Sequence, residues 1–521
     1  MSDTRQNASQ AASQPAATQP ACSIATPAIG KLVRLAARVT HHGGSALPGR
    51  VIEQIDPGFL ARTLAQLPLG VVLVSGTNGK TTTTRMVASM LSDLGLRVFT
   101  NPTGSNFTRG VASALLERVT LGGRLDADIA VLELDEAYAV HFVRQVRPRY
   151  ALLLNVMRDQ LDRFGEIDNT ARLLGHVAAA TTGTVVLNRE DPRIARLAEL
   201  VREPGADVRY FGLSDDLRSF FPSDDDMATT VAVESAAGDA NVAPTRASNT
   251  PAPTPALPAD VTLTRVGDHE ADFLIAGETK PRTTTVKLEG VYNLYNAAAA
   301  LAVVRAVQDD ARRFGFLEIC AGSDGPHEQT PRERTFASLQ SAIRYNDDLF
   351  KRVYKVRTAE LDDLLAAVAH VTPAFGRGEI IDVNGQPTEL LLVKNPMGFR
   401  LSLASFPPSA DTDTMIVIND EYADGRDMSW LWDVDFTSLR ETGVKQVSGV
   451  RAWDMALRLG YDQVPVDSVN TDIDAALAAF VRPDSARPGK RNHIYCTYTA
   501  MLAVRAALAR IADVPDAGVG K

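Results

Sequence analysis

Short apolar runs alternate with amphipathic segments in the first half of this chain. Four runs are short enough to be strands that are buried on both faces: Val71–Val74, Ile129–Leu134, Ala151–Leu154 and Thr184–Leu187. After the first run, apolar residues recur at helical spacing from Val87 to Leu94, and Gly95 predicts the end of that helix. Strands that alternate with helices predict βαβ units and a parallel sheet covered on both faces, so we expect an α/β fold.

Polar residues lie at or beside the ends of three of these predicted strands. They are Glu133, Asn155 and Asn188. In open α/β sheets, ligands bind beyond the carboxyl ends of the strands. Each of these residues, taken alone, fits the start of a turn equally well. Together they indicate the edge of the sheet at which chemistry is expected.

Composition and charge narrow the class of protein. The 521 residues allow about three domains, and 54 basic against 63 acidic residues, a net charge of −9, argue against a general polyanion binder. No apolar run approaches the length of a membrane-spanning helix, and the first 30 residues lack the pattern of a secretory signal. Three widely separated cysteines, Cys22, Cys320 and Cys496, exclude a disulfide scaffold and a four-thiolate zinc site built from this chain alone. We expect a cytoplasmic multidomain enzyme.

Changes in composition divide the chain. Residues 1–30, rich in Ala, Gln, Ser and Thr, predict a disordered tail. A central domain is expected at 31–306, with an Ala/Pro/Thr-rich linker at 236–258. Residues 307–372 are interpreted as an insertion with connecting helices, and 373–515 as a smaller C-terminal α/β domain.

The sequence VVLVSGTNGKTTTTR at 71–85 predicts a phosphate-binding loop between a strand and a helix. Gly76 and Gly79 let the backbone curl, so that its N–H groups and the helix N-terminus face an anion. Lys80 adds a positive charge for the outer phosphates, and Thr81 offers a hydroxyl to Mg²⁺. The longer pattern that begins with an additional glycine is not met, because Val74 stands at that position. The alternative is a glycine-rich turn that contains a lysine by chance.

A nucleoside triphosphate with Mg²⁺ also needs an acidic partner for the metal. Glu133, at the end of the next strong strand, is the candidate, with Asp135 and Glu136 beside it. The alternative interpretation is a group of solvated acids after a strand. If these carboxylates lie beside the loop, the chain binds a metal-nucleotide complex.

Several motifs resemble the Mur ligase family, whose members are ATP-dependent enzymes that join amines to carboxylates on cell-wall precursors. In the expected central domain they are GTNGKT, VLELDEA, NVMRDQLDRFGE, VLNREDP and LEGVYNLYNAAAA. In the C-terminal domain they are VKNPMGF, NDEYADGRDMSWLWDVDF, SGVRAWDMALRLGY and TYTAMLAVR. The C-terminal motifs are similar to one branch of the family, the synthetase subunits of lipid II isoglutaminyl synthase. The resemblance implies a central P-loop domain with a parallel sheet and a smaller C-terminal α/β domain.

The resemblance also implies positions for the nucleotide and its metal. The residues expected to hold the ATP phosphates are Gly76, Thr77, Asn78, Gly79, Lys80 and Thr81. Thr81 and Glu133 are expected to bind Mg²⁺. Asn293 and Asn296 match an Asn-containing motif near the base, and Arg377 matches an arginine that reaches the nucleotide from the last domain.

In the C-terminal domain, Lys394 and Asn395 match a lysine-containing motif of the family. Proteins of this branch work as heterodimers with a GatD-like glutaminase, whose Cys and His are completed by an Asp of the synthetase. Asp427 is the first candidate for that residue and Asp424 the second. Three tryptophans in the same region, Trp430, Trp432 and Trp453, are interpreted as packing in the core or at an interface.

The implied reaction is ATP-dependent activation of a carboxylate as an acyl phosphate, followed by amidation with ammonia from the glutaminase. The implied carboxylate is the α-carboxyl of D-Glu in lipid II, which would bring the enzyme to the inner membrane surface through its substrate. Members of this branch usually carry a four-cysteine zinc ribbon, but the interval 214–285 contains no cysteine, so no zinc is expected. The alternative functions are a Mur-type ligase for a non-peptidoglycan carboxylate and a non-catalytic nucleotide-binding scaffold.

Overall fold

The computed structural model of the protein describes residues 25–39, 47–101, 106–157, 167–220, 257–267, 269–288, 291–320, 347–371, 377–421, 424–482, 489–512 and 514. Nine strands form the first sheet: β1 Val71–Ser75, β2 Val98–Thr100, β3 Ile129–Glu133, β4 Tyr150–Leu153, β5 Thr184–Asn188, β6 Asp207–Leu213, β7 Val261–Val266, β8 Glu270–Ile275 and β9 Arg282–Thr285. Their order is β2-β3-β1-β4-β5-β6-β7-β8-β9. Strands β1 to β7 run parallel, and β8 and β9 pair antiparallel at one edge. The four predicted strands are confirmed as β1, β3, β4 and β5.

Helices cover both faces of this sheet. They are α1 Ala25–Val39, α2 Leu47–Ile55, α3 Phe59–Leu64, α4 Lys80–Asp93, α5 Thr108–Arg118, α6 Glu136–Val143, α7 Ile167–Ala180, α8 Pro192–Ala195, α9 Val291–Cys320, α10 Asp347–Thr358 and α11 Leu361–Ala369. The helix predicted after the first strand is confirmed as α4, and Gly95 follows its end with a φ of 99°. An α/β fold with a mainly parallel central sheet is therefore confirmed.

The two faces of β1 belong to two different hydrophobic cores. Val72 and Val74 pack with α4 and α9, whereas Val71 and Leu73 pack with α5, α6 and α7. All five β1 residues are buried, which explains why this strand reads as a continuous apolar run. Because the strand is held from both sides, the loop that follows it starts from a fixed position.

Helix α9 crosses one face of the sheet and carries a fully buried run of small residues from Ala297 to Ala300. Small side chains let the helix approach the strands closely. Further along, Asp310 is buried and accepts hydrogen bonds from Arg149 Nε at 3.1 Å and from the Tyr150 hydroxyl at 2.8 Å. The predicted domain boundary between residues 306 and 307 falls inside helix α9. The helix continues past this point because Asp310 still contacts the sheet.

A second, six-stranded sheet forms in the last part of the chain. Its strands are β10 Arg377–Val383, β11 Gln386–Leu392, β12 Thr412–Val417, β13 Gln446–Ser448, β14 Val469–Asn470 and β15 Arg491–Cys496, in the order β10-β11-β15-β12-β13-β14. Only β10 is antiparallel to its neighbour. Its helices are α12 Pro396–Ser405, α13 Ala452–Tyr461, α14 Ile473–Phe480 and α15 Tyr498–Leu508, with 3₁₀ turns at Ser429–Asp433 and Thr437–Leu439.

One prediction for the N-terminal region needs correction. Residues 25–30, assigned to a disordered tail, form the start of α1. The helix is held because the buried Thr26 donates to Asp56 Oδ2 at 2.9 Å and Gly30 packs directly on Leu116. Residues 1–24, most of the predicted linker 236–258 and residues 321–346 of the predicted insertion lie outside the described residues. Within the described ranges, no helix has the length and apolar character needed to cross a bilayer.

Candidate active site

The turn between β1 and α4 forms a narrow loop that requires its two glycines. Gly76 has a φ of 133° and Gly79 a φ of 86°, and both conformations are rarely adopted by residues with side chains. A Cβ on Gly76 would lie 2.9 Å from the backbone nitrogen of Asn155. A Cβ on Gly79 would lie 2.6 Å from Oδ1 of Asn296. The loop therefore has the close approach expected of a backbone that wraps around phosphates.

Asn155, which follows the neighbouring strand β4, holds this loop. Its backbone carbonyl accepts from Thr77 N at 3.0 Å, and its side-chain oxygen accepts from Asn78 N at 2.8 Å. Its side-chain amide donates to the Asn78 carbonyl at 3.0 Å. Asn155 was predicted only as a polar residue at a strand end, and the structure gives it the role of positioning the loop.

Lys80 is almost completely buried at the start of α4. Its ammonium group donates to the Gly76 carbonyl at 2.6 Å and lies 3.2 Å from an Asp135 oxygen and 3.8 Å from a Glu136 oxygen. The carboxylates predicted to lie near the loop are thus brought to it. The Asp135 and Glu136 carboxylates stabilise the buried charge of Lys80 beside the turn where an anionic ligand would bind.

The hydroxyl of Thr81 donates to Glu133 Oε1 at 2.8 Å, so the two residues expected to bind Mg²⁺ are in contact. Asn101 fixes the backbone of Glu133, since its amide donates to the Glu133 carbonyl and its oxygen accepts from Glu133 N. One hydroxyl and one carboxylate oxygen fit Mg²⁺, which usually takes only one or two protein ligands and completes its shell with phosphate oxygens and water. The donor set therefore fits a metal bound together with a nucleotide.

Two residues that position this site were missed in the sequence. Asn101 follows β2, a three-residue strand too short to be predicted. Asp191 accepts from Val156 N at 2.7 Å and caps α8, so it fixes the chain just after Asn155. Burial raises the pKa of this carboxyl. Asn101 and Asp191 both lie shortly after the end of a strand, and this position was the signal by which the sequence could have indicated them.

Asn293 and Asn296 lie on the first turns of α9, with Asn296 Nδ2 donating to Asn293 Oδ1 at 3.2 Å. The close approach of Asn296 to Gly79 brings this pair to the phosphate-binding loop. Arg377 begins β10 at the edge of the second sheet, and its side chain lies outside the described residues.

The C-terminal domain contacts the loop directly. Lys394, which follows β11, donates to the Thr77 carbonyl at 2.9 Å. Asn395 Nδ2 donates to Asn78 Oδ1 at 3.1 Å, while Asn395 Oδ1 caps α12 by accepting from Gly398 N at 2.7 Å. The carboxyl ends of strands in two sheets therefore face each other across the loop, which is the arrangement of a ligand site between two domains.

The two candidate aspartates differ in their surroundings. Asp424 is buried and accepts from Thr499 N at 2.8 Å and from the Thr499 hydroxyl, so it ties its loop to the start of α15. Burial raises its pKa. Asp427 is exposed, and hydrogen bonds from Ser429 lower the pKa of its carboxyl. The Asp424 carboxylate is occupied by its hydrogen bonds with Thr499, whereas Asp427 presents an ionised carboxylate to the surface.

We expect Gly79→Ala to weaken ATP binding by at least about tenfold, because the new methyl group meets both an unfavourable φ and the Asn296 side chain. Isothermal titration calorimetry with ATP and Mg²⁺ measures the effect. Gly122→Ala is the control, since a Cβ there would have no neighbour closer than 3.8 Å. Equal ATP affinity in the two variants would contradict the required role of Gly79.

Comparison with known proteins assigns these features to a class. Residues 74–304 match the Mur ligase middle domain, and residues 392–501 match the MurT ligase C-terminal domain. A similar solved structure is a MurF crystal structure from Acinetobacter baumannii, with a TM-score of 0.58 and 16% identity, covering 90% of this chain and 81% of that one. Another is MurF from Thermotoga maritima in complex with ADP, with a TM-score of 0.54 and 15% identity, covering 88% of this chain and 83% of that one. At these identities the solved structures support the fold. The chain is therefore similar to Mur ligases over these two regions, and it is an ATP-dependent ligase.

Within that family the chain is similar to MurT subunits. It is 28% identical over 495 residues to the subunit MurT of the glutamine-hydrolysing lipid II isoglutaminyl synthase from Streptococcus pneumoniae, covering 89% of this chain and 92% of the relative. The MurT subunit from Staphylococcus aureus strain COL is 26% identical, with coverage of 86% and 90%. The resemblance to this branch, inferred from the C-terminal motifs, is confirmed.

Proposed function

We propose that this protein is the synthetase subunit of a glutamine-hydrolysing enzyme that amidates lipid II. The observation that carries the proposal is the direct contact between the phosphate-binding loop and the MurT-type C-terminal domain, made by Lys394 with Thr77 and by Asn395 with Asn78. A loop for nucleotide phosphates and a domain found in MurT subunits thus contribute to one site. The names of the similar MurT subunits supply the reaction and the lipid II substrate.

The carboxylate that reacts is the α-carboxyl of D-Glu in the peptide of lipid II. An amine does not displace oxide from a carboxylate, so the carboxylate must first be activated. One of its oxygens attacks the γ-phosphorus of ATP, the bond from that phosphorus to the β–γ bridging oxygen breaks, and ADP leaves. Ammonia then attacks the acyl carbon, the bond to the phosphate oxygen breaks, and the attacking nitrogen loses a proton.

Phosphoryl transfer of this kind depends mainly on positioning and on neutralising charge. Lys80 supplies a buried positive charge, and the loop backbone and the N-terminus of α4 orient the phosphates. Lys394 adds a second positive charge from the other domain. Thr81 and Glu133 would hold Mg²⁺, which would help to neutralise the negative charge of the phosphate oxygens.

The ammonia comes from a GatD-like glutaminase subunit that forms a heterodimer with this chain. Ammonia is mostly protonated in neutral water, so a local supply avoids the unreactive ammonium ion. Asp427 orients the catalytic His of that partner and stabilises its cationic form, as the acid of a catalytic triad does. The exposure of Asp427 and the lowered pKa of its carboxyl support this choice over Asp424.

Incubation of the purified chain with ATP, Mg²⁺, ammonium chloride and lipid II tests the function. We expect ADP release that depends on lipid II, and a product whose mass corresponds to conversion of one carboxyl group to a carboxamide. A parallel series with other carboxylate acceptors, including soluble nucleotide-linked precursors, identifies the substrate. Amidation of another acceptor without amidation of lipid II would overturn the proposed function.

A further inference from the structure

Helix α13 presents apolar side chains on both of its sides. Ala452, Met455 and Leu459 are buried in a core of the C-terminal domain. The opposite side carries Trp453 and Tyr461, which are 67% and 70% exposed. Exposed apolar patches of this kind mark interaction sites on protein surfaces, so the outer side of α13 is expected to be covered by another molecule.

The exposed side forms a continuous row, which we call the α13 stripe. It consists of Trp453, Leu457 and Tyr461, at the spacing of one helical face, together with Val450, which precedes the helix, and Trp432. The Trp432 ring packs edge-on against Tyr461 with centroids 5.1 Å apart. Large exposed aromatic residues are enriched in the energetically dominant parts of protein interfaces.

The stripe is held in a fixed shape before any partner binds. Arg458 is buried, donates to the backbone carbonyls of Leu431 and Val434, and pairs with Asp462 at 2.7 Å. Its guanidinium group lies 5.5 Å from the centre of the Trp432 ring. A preformed aromatic surface loses little side-chain freedom on binding, which favours affinity.

Residues before Asp427 in the chain contact the stripe, and a residue after Asp427 belongs to it. Val450 N donates to Asn419 Oδ1 at 3.0 Å, and Arg451 pairs with Asp420 at 2.9 Å. Asp427 itself accepts from Ser429 N, the first residue of the 3₁₀ turn that contains Trp432. Five residues of chain can separate Asp427 from Trp432 by at most about 18 Å. A standard interface of about 800 Å² per partner has a radius of about 16 Å, so a partner centred between them covers both.

We propose that the α13 stripe is the docking surface for the glutaminase subunit whose active site Asp427 completes. This inference rests on the proposed function, and it specifies where the partner binds. The partner must present a complementary apolar surface beside its catalytic His. Charged residues at the edge of the stripe, such as Arg451 and Asp454, suit the polar rim of such an interface.

The test measures the dissociation constant between this chain and the glutaminase subunit encoded in the same genome, purified separately. We expect Trp453→Ala and Leu457→Asp each to weaken binding by about thirtyfold. Glutamine-dependent amidation at limiting glutaminase should fall by a similar factor. Amidation with saturating ammonium chloride should be unchanged, because the stripe residues make their contacts with Asn419, Arg458 and one another among the described residues.

Leu35→Asp is the matched control, since Leu35 is 60% exposed on a helix of the other domain and Leu457 is 56% exposed. We expect it to leave glutaminase binding unchanged. Thermal melting checks that each variant is folded. If the α13 variants fail to fold, Val450→Glu tests the same surface from a residue that precedes the helix.

The outcomes separate this inference from the proposed function. Wild-type affinity in the folded stripe variants, with normal amidation by ammonium, overturns the docking site and leaves the function in place. Absence of glutaminase binding by the wild-type chain also overturns the docking site. Dissociation of a homodimer in the variants, seen by light scattering, would assign the stripe to a second copy of this chain instead. Failure of amidation with ammonium in the wild type overturns the proposed function itself.

Discussion

Lys80→Ala is expected to lower lipid II-dependent ATP turnover by about 10³-fold or more. The buried ammonium group donates to the Gly76 carbonyl of the loop and lies close to the carboxylates of Asp135 and Glu136. Its loss removes stabilisation of the transferring phosphoryl group, and single charged contacts of this kind contribute about 10³-fold or more to phosphoryl transfer. Steady-state ADP release with saturating ammonium measures the effect directly.

The same substitution leaves two buried carboxylates without their cation, so folding must be checked with the activity. Lys445→Ala is the control, since Lys445 forms an exposed pair with Asp467 and such pairs contribute little to stability. We expect the control to keep wild-type turnover and melting temperature. A folded Lys80→Ala protein with more than about a tenth of wild-type turnover would show that the lysine is not required for phosphoryl transfer.

Asp427→Asn is expected to reduce glutamine-dependent amidation by about 10³- to 10⁴-fold while amidation with ammonium chloride stays at the wild-type rate. The neutral amide cannot stabilise the cationic His of the glutaminase, and replacement of a triad Asp by Asn has an effect of this size in other enzymes. Synthetase chemistry is spared because the exposed Asp427 has its hydrogen bond with Ser429 and none with the phosphate-binding loop. Paired assays with glutamine and with ammonium, at the same enzyme concentration, measure the two rates.

Asp424→Asn separates a triad residue from a residue that holds the loop. The Asp424 carboxylate accepts two hydrogen bonds from Thr499, and the substitution replaces one acceptor oxygen by a donor. We expect a loss of about 1–3 kcal/mol in the free energy of unfolding and a smaller effect on glutamine use than that of Asp427→Asn. If Asp424→Asn instead abolishes glutamine use in a protein of wild-type stability, the two aspartates exchange roles.

Local patterns were enough to predict the core of the first sheet. Each buried strand from β1 to β5, except the short β2, contains a continuous run of apolar residues, and the helix after β1 has its apolar residues on one face. Helix α1 was not predicted, because what holds it is contact with distant residues such as Asp56 and Leu116. The antiparallel strands β8 and β9 were missed for a related reason, since alternating polar strands at a sheet edge resemble surface loops.

The candidate site likewise contains features that local patterns predicted and contacts that they did not. The turn expected to bind phosphates and the acid Glu133 were predicted because each is indicated by residue types within a few positions: glycine and lysine in the turn, and an acid at the end of a strand. The support from Asn155 and Asp191, and the contact of Lys394 with Thr77, were not predicted in detail. These contacts join segments up to 317 residues apart, and no local pattern encodes such a distance.

By itself, the sequence predicted the α/β class, the glycine-containing turn between β1 and α4, an acid beside that turn and the similarity to Mur ligases. These properties depend on periodicity and on residue types within a few positions of each other. Only the tertiary structure decided that the C-terminal domain touches the loop, that Asp424 is buried while Asp427 is exposed, and that α13 has an uncovered apolar side. Burial and contact between distant segments depend on how the elements pack, and packing is a property of the whole folded chain.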